Sequence, residues 1–529
     1  MLTVDKRDKT KLIDPLYETS PGFWALVVGL LIVISWGVYM YIGQLTNGMK
    51  VTGMQRPVYW GVYMVNFIFF IGISHAGTLI SAILRVTGAE WRRPITRIAE
   101  AITAFALVIG TLQIIVDMGR PDRLISIMLY GRLQSPILWD VISVTAYFLG
   151  SITYLYLPII PDAAVLRDNI PPDAPKWRKQ LYTLLALGWR GNRTQWVRLE
   201  KAIAVMAILI IPIAISVHTI ISWILATTLQ PGWHSTIFGP YFVVGAIFSG
   251  IGALFVAMTI VRRNMGLESY ITDKQYRNLG LIFITMSAVW MYFTFAEHLT
   301  LAAGQQVYEF PVLASKLWGE FSLGFWAMVL LMIFSFWIMV APQLIPITAK
   351  RYVVFQPRFA LGSAAIAAMT AVFLTFETPI QLSAGPELIT FRDLIWALLL
   401  VELVMAAIGL ALWFKPRPVD ATVVAAIAVL IGMWLERWNI IIPTLTHPYL
   451  VYWAEYQPTL TEIAITAGSV SLFVLFFILF FKLFPVISIW EVAEGRVIDE
   501  ARAKLSTPMP EPSNIVRRLR RLDIRRRRK

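Results

Sequence analysis

The sequence predicts an all-α polytopic membrane protein with about 10–12 transmembrane helices, organised as two repeated four-helix bundles plus peripheral helices. Three observations predict this class. Of the 529 residues, 57% are hydrophobic and only 15% are charged, whereas soluble globular chains carry about 25% charged residues. Apolar runs of about 20 residues, long enough to cross a bilayer, recur along the chain. Lysine and arginine are dense in every second loop between those runs.

Twelve apolar runs are candidate membrane helices. The ninth is the shortest and is rich in alanine and glycine, and losing the ninth and tenth together would leave the alternation of loops intact. The runs are 22–43, 59–84, 98–116, 137–158, 202–228, 239–261, 279–301, 321–345, 359–376, 391–414, 421–442 and 462–484.

The basic loops all fall on one side of the predicted membrane. The loop after the second run, for example, holds Arg85, Arg92, Arg93 and Arg97. Because cytoplasmic loops are enriched in lysine and arginine, we expect both termini and the 161–201 loop to face the cytoplasm of a bacterial cytoplasmic (inner) membrane. The tail 517–529 carries nine basic residues and one acid, a net charge of 9 − 1 = +8. In a chain embedded in the bilayer, this tail predicts contact with anionic lipid or a partner, and no nucleic acid.

An internal repeat begins at the second run. A shift of 178 pairs Gly61 with Gly239, Tyr63 with Tyr241, His75 with Ala253 and Arg85 with Arg263, and a shift of 180 pairs Asp117 with Glu297. The repeat predicts one bundle from runs two to five and a second from runs six to eight plus the eleventh. The predicted segments are 1–58 (N-terminus and first peripheral helix), 59–228 (first bundle), 229–345 (first three helices of the second bundle), 346–420 (an inserted hairpin), 421–442 (last helix of the second bundle), 443–490 (final peripheral helix) and 491–529 (basic tail).

The chain contains no cysteine. It therefore cannot form a disulfide, a thiolate zinc site or a cysteine-ligated iron–sulfur cluster. His75 and His218 are candidate axial ligands for a haem, but counting residues from the ends of their runs gives a difference in depth of roughly 9 Å. We therefore expect no haem and no metal on this chain.

Ionisable groups within a membrane are costly and are candidates for function. His75 lies in GISHAGTLISAIL, and its repeat counterpart is Ala253. The small residues around it would allow either close helix packing or the approach of a flat ligand. The alternative is a histidine that only forms a hydrogen bond between helices.

Further candidates lie near the ends of the predicted helices. Asp117, Arg120 and Asp140 are predicted to form an acid–arginine cluster at the extracytoplasmic end of the first bundle. Such a cluster suits proton release from a bound hydroxyl, or it is a helix cap and a loop salt bridge. The remaining candidates either form a proton path or are structural ion pairs. They are Glu100 and Arg85 near the cytoplasmic side, and Glu297, His298, Glu436 and Arg437 near extracytoplasmic helix ends.

The segment WGVYMVNFIFFIGISHAGTLISAIL resembles the polysulfide-reductase, or NrfD-like, family of membrane subunits. With SPILWDV, IPDAAVLRD, SVHTIISW, PGWHSTIF, MWLERWNII and YQPTLTEIAITAG, the sequence from roughly 17 to 490 is similar to the quinol-oxidising membrane subunit of alternative complex III. Family members have about ten helices, so the resemblance implies that 346–420 is an insertion.

The resemblance also implies a function. A quinol, with menaquinol the expected type, would be oxidised near the extracytoplasmic face in the first bundle. Its electrons would pass to an iron–sulfur subunit and then to c-type haem subunits, within a complex that includes a homologous membrane subunit. We expect His75 and Asp140 to bind the quinol, with Asp117 and Arg120 completing the catalytic site. Two alternatives stay open: a secondary transporter with parallel repeats, and the sister membrane subunit of the same complex, which shares the fold without a quinol site.

Overall fold

The computed structural model describes residues 6–344 and 418–496, together with 403–404, 406–407 and 410. Within these residues the fold is all-helical, and ten helices are long and apolar enough to cross a membrane. They are α1 (Pro21–Asn47), α2 (Val62–Val86), α3 (Thr96–Asp117), α4 (Pro136–Tyr156), α5 (Arg193–Ala226), α6 (Phe238–Asn264), α7 (Asp273–Gly304), α8 (Ser322–Leu344), α9 (Pro418–Thr446) and α10 (Leu460–Leu483).

The predicted runs 359–376 and 391–414, and nearly all of the predicted hairpin 346–420, lie outside the described residues. Shorter helical segments precede α1 or lie between the long helices. They are Lys6–Asp8, Lys9–Ile13, Asp14–Leu16, Met49–Val51, Glu90–Arg92, Pro121–Arg123, Leu124–Tyr130, Ile159–Asp168, Lys176–Leu185 and Phe310–Leu317.

The long helices pack as two rings of four. In the first ring α2 contacts α3, α3 contacts α4, α4 contacts α5, and α5 returns to α2. In the second ring α6 contacts α7, α7 contacts α8, α8 contacts α9, and α9 returns to α6. The rings meet where α6 and α9 pack on α2, while α1 and α10 pair with each other beside α3. This arrangement agrees with the predicted bundles and peripheral helices.

The helix bounds follow the sequence repeat. Adding 178 to the bounds of α2 gives 62 + 178 = 240 and 86 + 178 = 264, which fall at the start and end of α6. Adding 180 to the bounds of α3 gives 276 and 297, which fall inside α7. The two bundles therefore present equivalent positions in the same direction along the membrane normal.

The outer surface of α1 is apolar. Ile32 is 65% exposed and Tyr39 is 72% exposed, and both lie in the middle of a helix without a charged residue. Large apolar side chains on a helix face of this length would be strongly unfavourable in water, so this face contacts lipid. The first turn of α10 is held by its own side chains, since Thr459 and Glu462 form a reciprocal capping box there.

One end of the bundles, which we call the basic face, joins segments that are distant in sequence. Arg178 donates to the carbonyl of Leu16, and Lys482 donates to the carbonyl of Pro15. Asp8 accepts from Tyr270 and pairs with Arg496, at 2.5 and 2.6 Å. The N-terminal segment, the α6–α7 loop and the segment after α10 therefore meet at this face. We call the other end, which holds the loops 48–61, 227–237 and 447–459, the opposite face.

A buried ion pair lies at the basic face. The Arg97 guanidinium lies 2.6 Å from the Asp162 carboxylate, and the two side chains are 1% and 0% exposed. Asp162 also accepts from the backbone amides of Ile489 and Trp490. Burial raises the pKa of Asp162, and the neighbouring Arg97 opposes that rise. The IPDAAVLRD segment thus joins α3 to the chain after α10 in the described structure.

Candidate functional site

Two fully buried histidines contact each other where α2 and α5 pack together. Nδ1 of His218 lies 3.0 Å from Nε2 of His75, and the ring centroids are 4.0 Å apart. The Tyr147 ring, from α4, packs against His75 at 4.9 Å between centroids. The hydroxyl of Tyr147 donates to the Ser74 carbonyl at 3.0 Å. Three helices of the first bundle therefore build one site around His75.

The predicted difference in depth between His75 and His218 is wrong. α5 spans 34 residues, which is about 51 Å of helix, whereas the hydrocarbon core is about 30 Å thick. Counting from the end of α5 therefore does not measure depth in the membrane. The two rings meet edge to face, with 68° between their planes, and contact each other directly, so the space between them does not admit a porphyrin.

The hydrogen-bond partners distinguish the two rings. His75 has carbonyl oxygens at both ring nitrogens: Ile71 at 2.8 Å from Nδ1 and Ala214 at 2.5 Å from Nε2. Because a carbonyl only accepts, the ring satisfies both only when both nitrogens carry a proton. In contrast, Nε2 of His218 is buried without a hydrogen-bond partner among the described residues. His75 thus has a carbonyl at each ring nitrogen and His218 Nδ1 as a further partner at Nε2, while Nε2 of His218 has no described partner.

The small residues around His75 serve helix packing. A Cβ added at Gly77 would overlap with the carbonyl of Ala99 on α3. A Cβ added at Gly72 would lie 3.3 Å from Ser249 Oγ on α6 and 3.8 Å from Arg437 Nη2 on α9. These glycines let α2 approach both its own bundle and the second one. Of the two roles predicted for the small residues, the structure shows close packing at these two positions.

Asp140 lies on the same face of α4 as Tyr147. The two residues are seven apart, which is two helical turns or roughly 10 Å along the axis. Asp140 Oδ1 is enclosed without a hydrogen-bond partner in the described part of the chain, and so is Asp117 Oδ1 at the end of α3. Both carboxylates lie toward the opposite face relative to His75. Each can accept a proton at an oxygen that no described protein group occupies.

The prediction that Arg120 lies in a cluster with Asp117 and Asp140 is wrong. Arg120 forms a two-pronged pair with Asp122, at 2.9 and 2.8 Å, and both side chains are more than half exposed. The reason is local. The turn at Pro121 places the Asp122 carboxylate directly opposite the Arg120 guanidinium. Arg120 therefore belongs to an exposed loop pair.

Glu100 is not held by the interfacial ion pair that its neighbours in sequence suggested. Arg97 pairs with Asp162, and Arg85 contacts Glu491 at 2.5 Å. Ser81 donates to one oxygen of Glu100 at 2.9 Å, while the other oxygen has no hydrogen-bond partner among the described residues. Glu100 is therefore a buried carboxyl group, 2% exposed, near the basic face.

Glu436 and Arg437 lie inside α9 and not near its end as predicted. The prediction ended this helix at 442, but the helix continues past Pro443 to Thr446. The two side chains pair with each other, and Trp290 Nε1 donates to Glu436 at 2.6 Å. The Arg437 guanidinium stacks on the Phe242 ring, with 5.1 Å to its centroid. Each charged side chain is 1% exposed, at the contact between the two bundles.

Glu297 and His298 lie at the end of α7 nearer the opposite face. His298 contacts the Thr294 carbonyl at 2.7 Å, and Oε2 of Glu297 has no hydrogen-bond partner in the described structure. Both side chains line a small void together with Lys316, Glu436 and other residues. Burial lowers the pKa of Lys316 to about 8, and Glu297 opposes that shift. Glu297 also lines a larger cavity that opens on the opposite face.

The contacts of three residues, which are His218, Tyr147 and Asp162, were not predicted from the sequence. His218 was considered only as a haem ligand, and its contact with His75 depends on the packing of α5 against α2. Tyr147 gave no signal, because a tyrosine in an apolar helix is common at membrane interfaces. Asp162 was noticed only as part of a family motif. Its charge in an otherwise apolar IPDAAV segment could have indicated a buried partner.

Sequence comparisons place these residues in a wider group. Residues 50–377 match the family model described as "Polysulphide reductase, NrfD". A putative dimethyl sulfoxide reductase membrane subunit from Halobacterium salinarum is 28% identical over 244 residues, which are 45% of this chain and 52% of that protein. An Hdr-like menaquinol oxidoreductase integral membrane subunit from Archaeoglobus fulgidus is 26% identical over 323 residues, which are 60% of this chain and 69% of that protein.

A third relative is a selenate reductase subunit of Mesobacillus selenatarsenatis. It is 24% identical over 250 residues, which are 45% of this chain and 55% of that protein. The chain thus spans about half the length of two of these relatives and about two thirds of the third. The family match covers 328 residues, counted from 50 to 377, and includes the whole of the first bundle.

Proposed function

Since the chain belongs to the polysulphide reductase NrfD family, we propose that it is the membrane subunit of a redox complex that oxidises a quinol in its first bundle. The observation that most strongly supports this proposal is the contact of His75 with His218, in which Nε2 of His218 has no described hydrogen-bond partner. A quinol releases two protons and two electrons, so its site needs a group that accepts a hydroxyl proton. Imidazole has an unperturbed pKa of about 6.5 and suits that role.

The geometry refines which histidine meets the substrate. Both nitrogens of His75 already have partners, whereas Nε2 of His218 has none among the described residues. His218 therefore accepts the hydroxyl hydrogen bond at Nε2, and its Nδ1 passes a proton to Nε2 of His75. The carbonyl oxygens of Ile71 and Ala214 then stabilise the doubly protonated His75 ring.

Protons leave toward the opposite face along α4. Asp140 lies on the same face of that helix as Tyr147, which packs on His75. Asp140 and Asp117 each offer an unpartnered oxygen to the proton. The two electrons pass from the quinol, which becomes the quinone, to a redox centre of a partner subunit at the same face. Glu100, with Arg85 nearby, is proposed as a proton entrance at the basic face. Proton transfer by Glu297, His298, Glu436 and Arg437 stays a prediction.

The orientation is proposed from charge. The structure brings Arg85, Arg92, Arg93 and Arg178 to one face, together with the N-terminal segment. By the preference of basic loops for the cytoplasm, that face is cytoplasmic in a bacterial inner membrane. A protease site inserted in 169–175 should then be cleaved only from the cytoplasmic side, and cleavage from outside would reverse the orientation.

The finer proposal is the quinol-oxidising membrane subunit of alternative complex III, with menaquinol as the substrate. It is supported by the motifs PGWHSTIF and MWLERWNII, and the Archaeoglobus relative carries menaquinol in its name. The partners proposed are an iron–sulfur subunit, c-type haem subunits and a homologous membrane subunit. The segment boundaries given above, including an inserted hairpin at 346–420, belong to this proposal.

Purification of the chain with its natural partners tests the proposal. We expect bound quinone and quinol-dependent reduction of a partner's redox centre. The chain separated from its partners should show no visible or paramagnetic centre, because it has no cysteine and its paired histidines contact each other. A haem or iron–sulfur signal that stays with the isolated chain would contradict the assignment of these redox centres to partner subunits.

A further inference from the structure

An acidic cavity opens on the opposite face of the second bundle. Its volume is about 510 Å³, and it lies between the loop 232–237, the last turns of α7 and Tyr449. This volume is in the range of about 300–1,000 Å³ that is usual for ligand-binding pockets. We call it the acidic cavity, since the carboxylates of Glu297 and Glu309 both line it. It lies outside the first bundle, where the histidine pair is found.

The floor of the acidic cavity presents a buried carboxylate with one open oxygen. Glu297 is 6% exposed, and Ser235 and Lys316 lie close to its carboxylate, but its Oε2 has no hydrogen-bond partner in the described structure. The Glu309 carboxylate accepts only from the backbone amide of Gly232 among the described hydrogen bonds, at a long 3.4 Å. The carbonyl end of α7, around Thr300, adds the negative end of a helix dipole. The cavity is therefore suited to a positively charged group that donates hydrogen bonds.

The surface around the cavity is apolar and lies in loops beyond the helix ends. We call it the apolar rim, and it consists of Val307, Tyr308, Leu450, Val451, Tyr452 and Trp453, which are between 52% and 83% exposed. The rim is continuous with the cavity wall, because the rings of Tyr308 and Tyr449 contact each other at 5.2 Å. Aromatic residues around a charged pocket are typical of the anchor points of protein interfaces.

We propose that the acidic cavity and the apolar rim form a docking site for an extramembrane polypeptide partner, which inserts a lysine or arginine side chain between Glu297 and Glu309. The partner's chemistry follows from the charge of the cavity and from the extent of the rim. The site lies at the face where the proposed function requires an electron-accepting subunit, and in that respect the inference rests on the proposed function. It adds a contact in the second bundle, away from the quinol.

Site-specific photo-crosslinking in the intact complex tests the docking site. A photoreactive phenylalanine analogue replaces Tyr449 in the wall or Tyr452 in the rim, and the matched control replaces Tyr39 on the lipid-facing side of α1. We expect both loop positions to crosslink the same stoichiometric subunit, through a peptide that contains lysine or arginine, and Tyr39 not to crosslink that subunit. Crosslinks to lipid alone would show a membrane-interface belt and overturn the inference.

Charge removal gives an independent readout. In Glu297→Gln/Glu309→Gln, the affinity for that subunit should fall by about tenfold or more and become less sensitive to salt. Changing the crosslinked basic residue to glutamate should weaken the association in the same way, whereas Glu455→Gln, an acid outside the cavity lining, should not. An unchanged association in the double variant overturns the inference. A lower turnover with unchanged association of that subunit also overturns the inference, because Glu297 would then take part in proton transfer and not in docking.

The two proposals fail separately. If the partner crosslinks as described but quinol does not reduce it, the docking site stands and the proposed function fails. If quinol oxidation is normal and no polypeptide crosslinks at Tyr449 or Tyr452, only the docking site fails.

Discussion

Nδ1 of His218 lies 3.0 Å from Nε2 of His75, across the contact of α5 with α2. The pair joins two positions 143 residues apart in sequence, and neither ring is exposed. In the proposed function, this pair, with one free nitrogen and two carbonyl acceptors, acts as a short proton relay. Quinol oxidation as proposed above requires this contact between the two rings.

The relay predicts that the two histidines act as a unit. His75→Ala and His218→Ala should each lower quinol oxidation by roughly 10- to 150-fold, the loss expected for a charged hydrogen bond of about 1.5–3 kcal/mol. The double variant should be no slower than the slower single variant, since the relay is already broken. Steady-state turnover of assembled complexes measures this. Losses that multiply in the double variant would show that the rings act independently.

Asp140 and Arg120 should differ in their effects. Asp140→Asn removes a proton-accepting oxygen from the α4 path, so quinol oxidation should fall strongly while the complex still assembles. Arg120→Gln breaks only a solvent-exposed loop pair, which contributes little, and should leave turnover nearly unchanged. Turnover normalised to assembled complex compares the two variants. If Asp140→Asn and Arg120→Gln lower turnover equally, Arg120 belongs to the catalytic site.

The buried pair at the basic face should matter for stability. Asp162→Asn leaves the Arg97 charge buried without its partner, which costs about 3–5 kcal/mol. The matched control is Asp168→Asn, which breaks a partly exposed pair with Arg167 and should cost about 0–1 kcal/mol. Assembly yield and melting temperature of the purified complex report the difference. Similar melting temperatures for the two variants would mean that Arg97 finds another partner.

Lys316 gives a prediction for pH. Burial lowers its pKa from 10.5 to about 8, so between these values the unfolded chain binds a proton that the folded chain has released. Stability therefore rises with pH in that window because of Lys316. The melting temperature of Lys316→Met minus that of the wild type should fall as the pH increases from 8 to 10.5. The exposed Lys274→Met serves as the control for the loss of one positive charge at the surface. If the difference in melting temperature between Lys316→Met and the wild type does not change with pH, the Lys316 amine is exposed to water.

The fold was predictable because its signals are local. Apolar length, basic loops and the spacing of Gly61, Tyr63 and Arg85 from their repeat counterparts each depend on nearby residues. The structure confirms an all-α polytopic architecture with ten long helices in the described residues. The predicted bundle partners also agree with the observed helix contacts.

The site was only partly predictable because its contacts are tertiary. The contrast of His75 with Ala253 identified the important position, but its partner depends on how a 34-residue helix is placed against α2. Arg85 was grouped with Glu100 by proximity in sequence, as a proton path or an ion pair. The real partner of Arg85 is Glu491, and the buried Arg97 pairs with Asp162; both acids come from segments that only folding brings near. Charge pairing across such distances leaves no periodic signal in one sequence.

The most direct test of the central claim is the rate at which quinol reduces the partner's redox centre in a single turnover of the purified complex. Wild type, His218→Ala and the control Thr219→Val are compared, since the hydroxyl of Thr219, next to His218 on α5, donates only to the Ile215 carbonyl of its own helix among the described hydrogen bonds. We expect His218→Ala to be roughly 10- to 150-fold slower at saturating quinol, and Thr219→Val to match the wild type. If His218→Ala reduces the centre at the wild-type rate in an assembled complex, the histidine pair is a packing contact and the quinol site lies elsewhere.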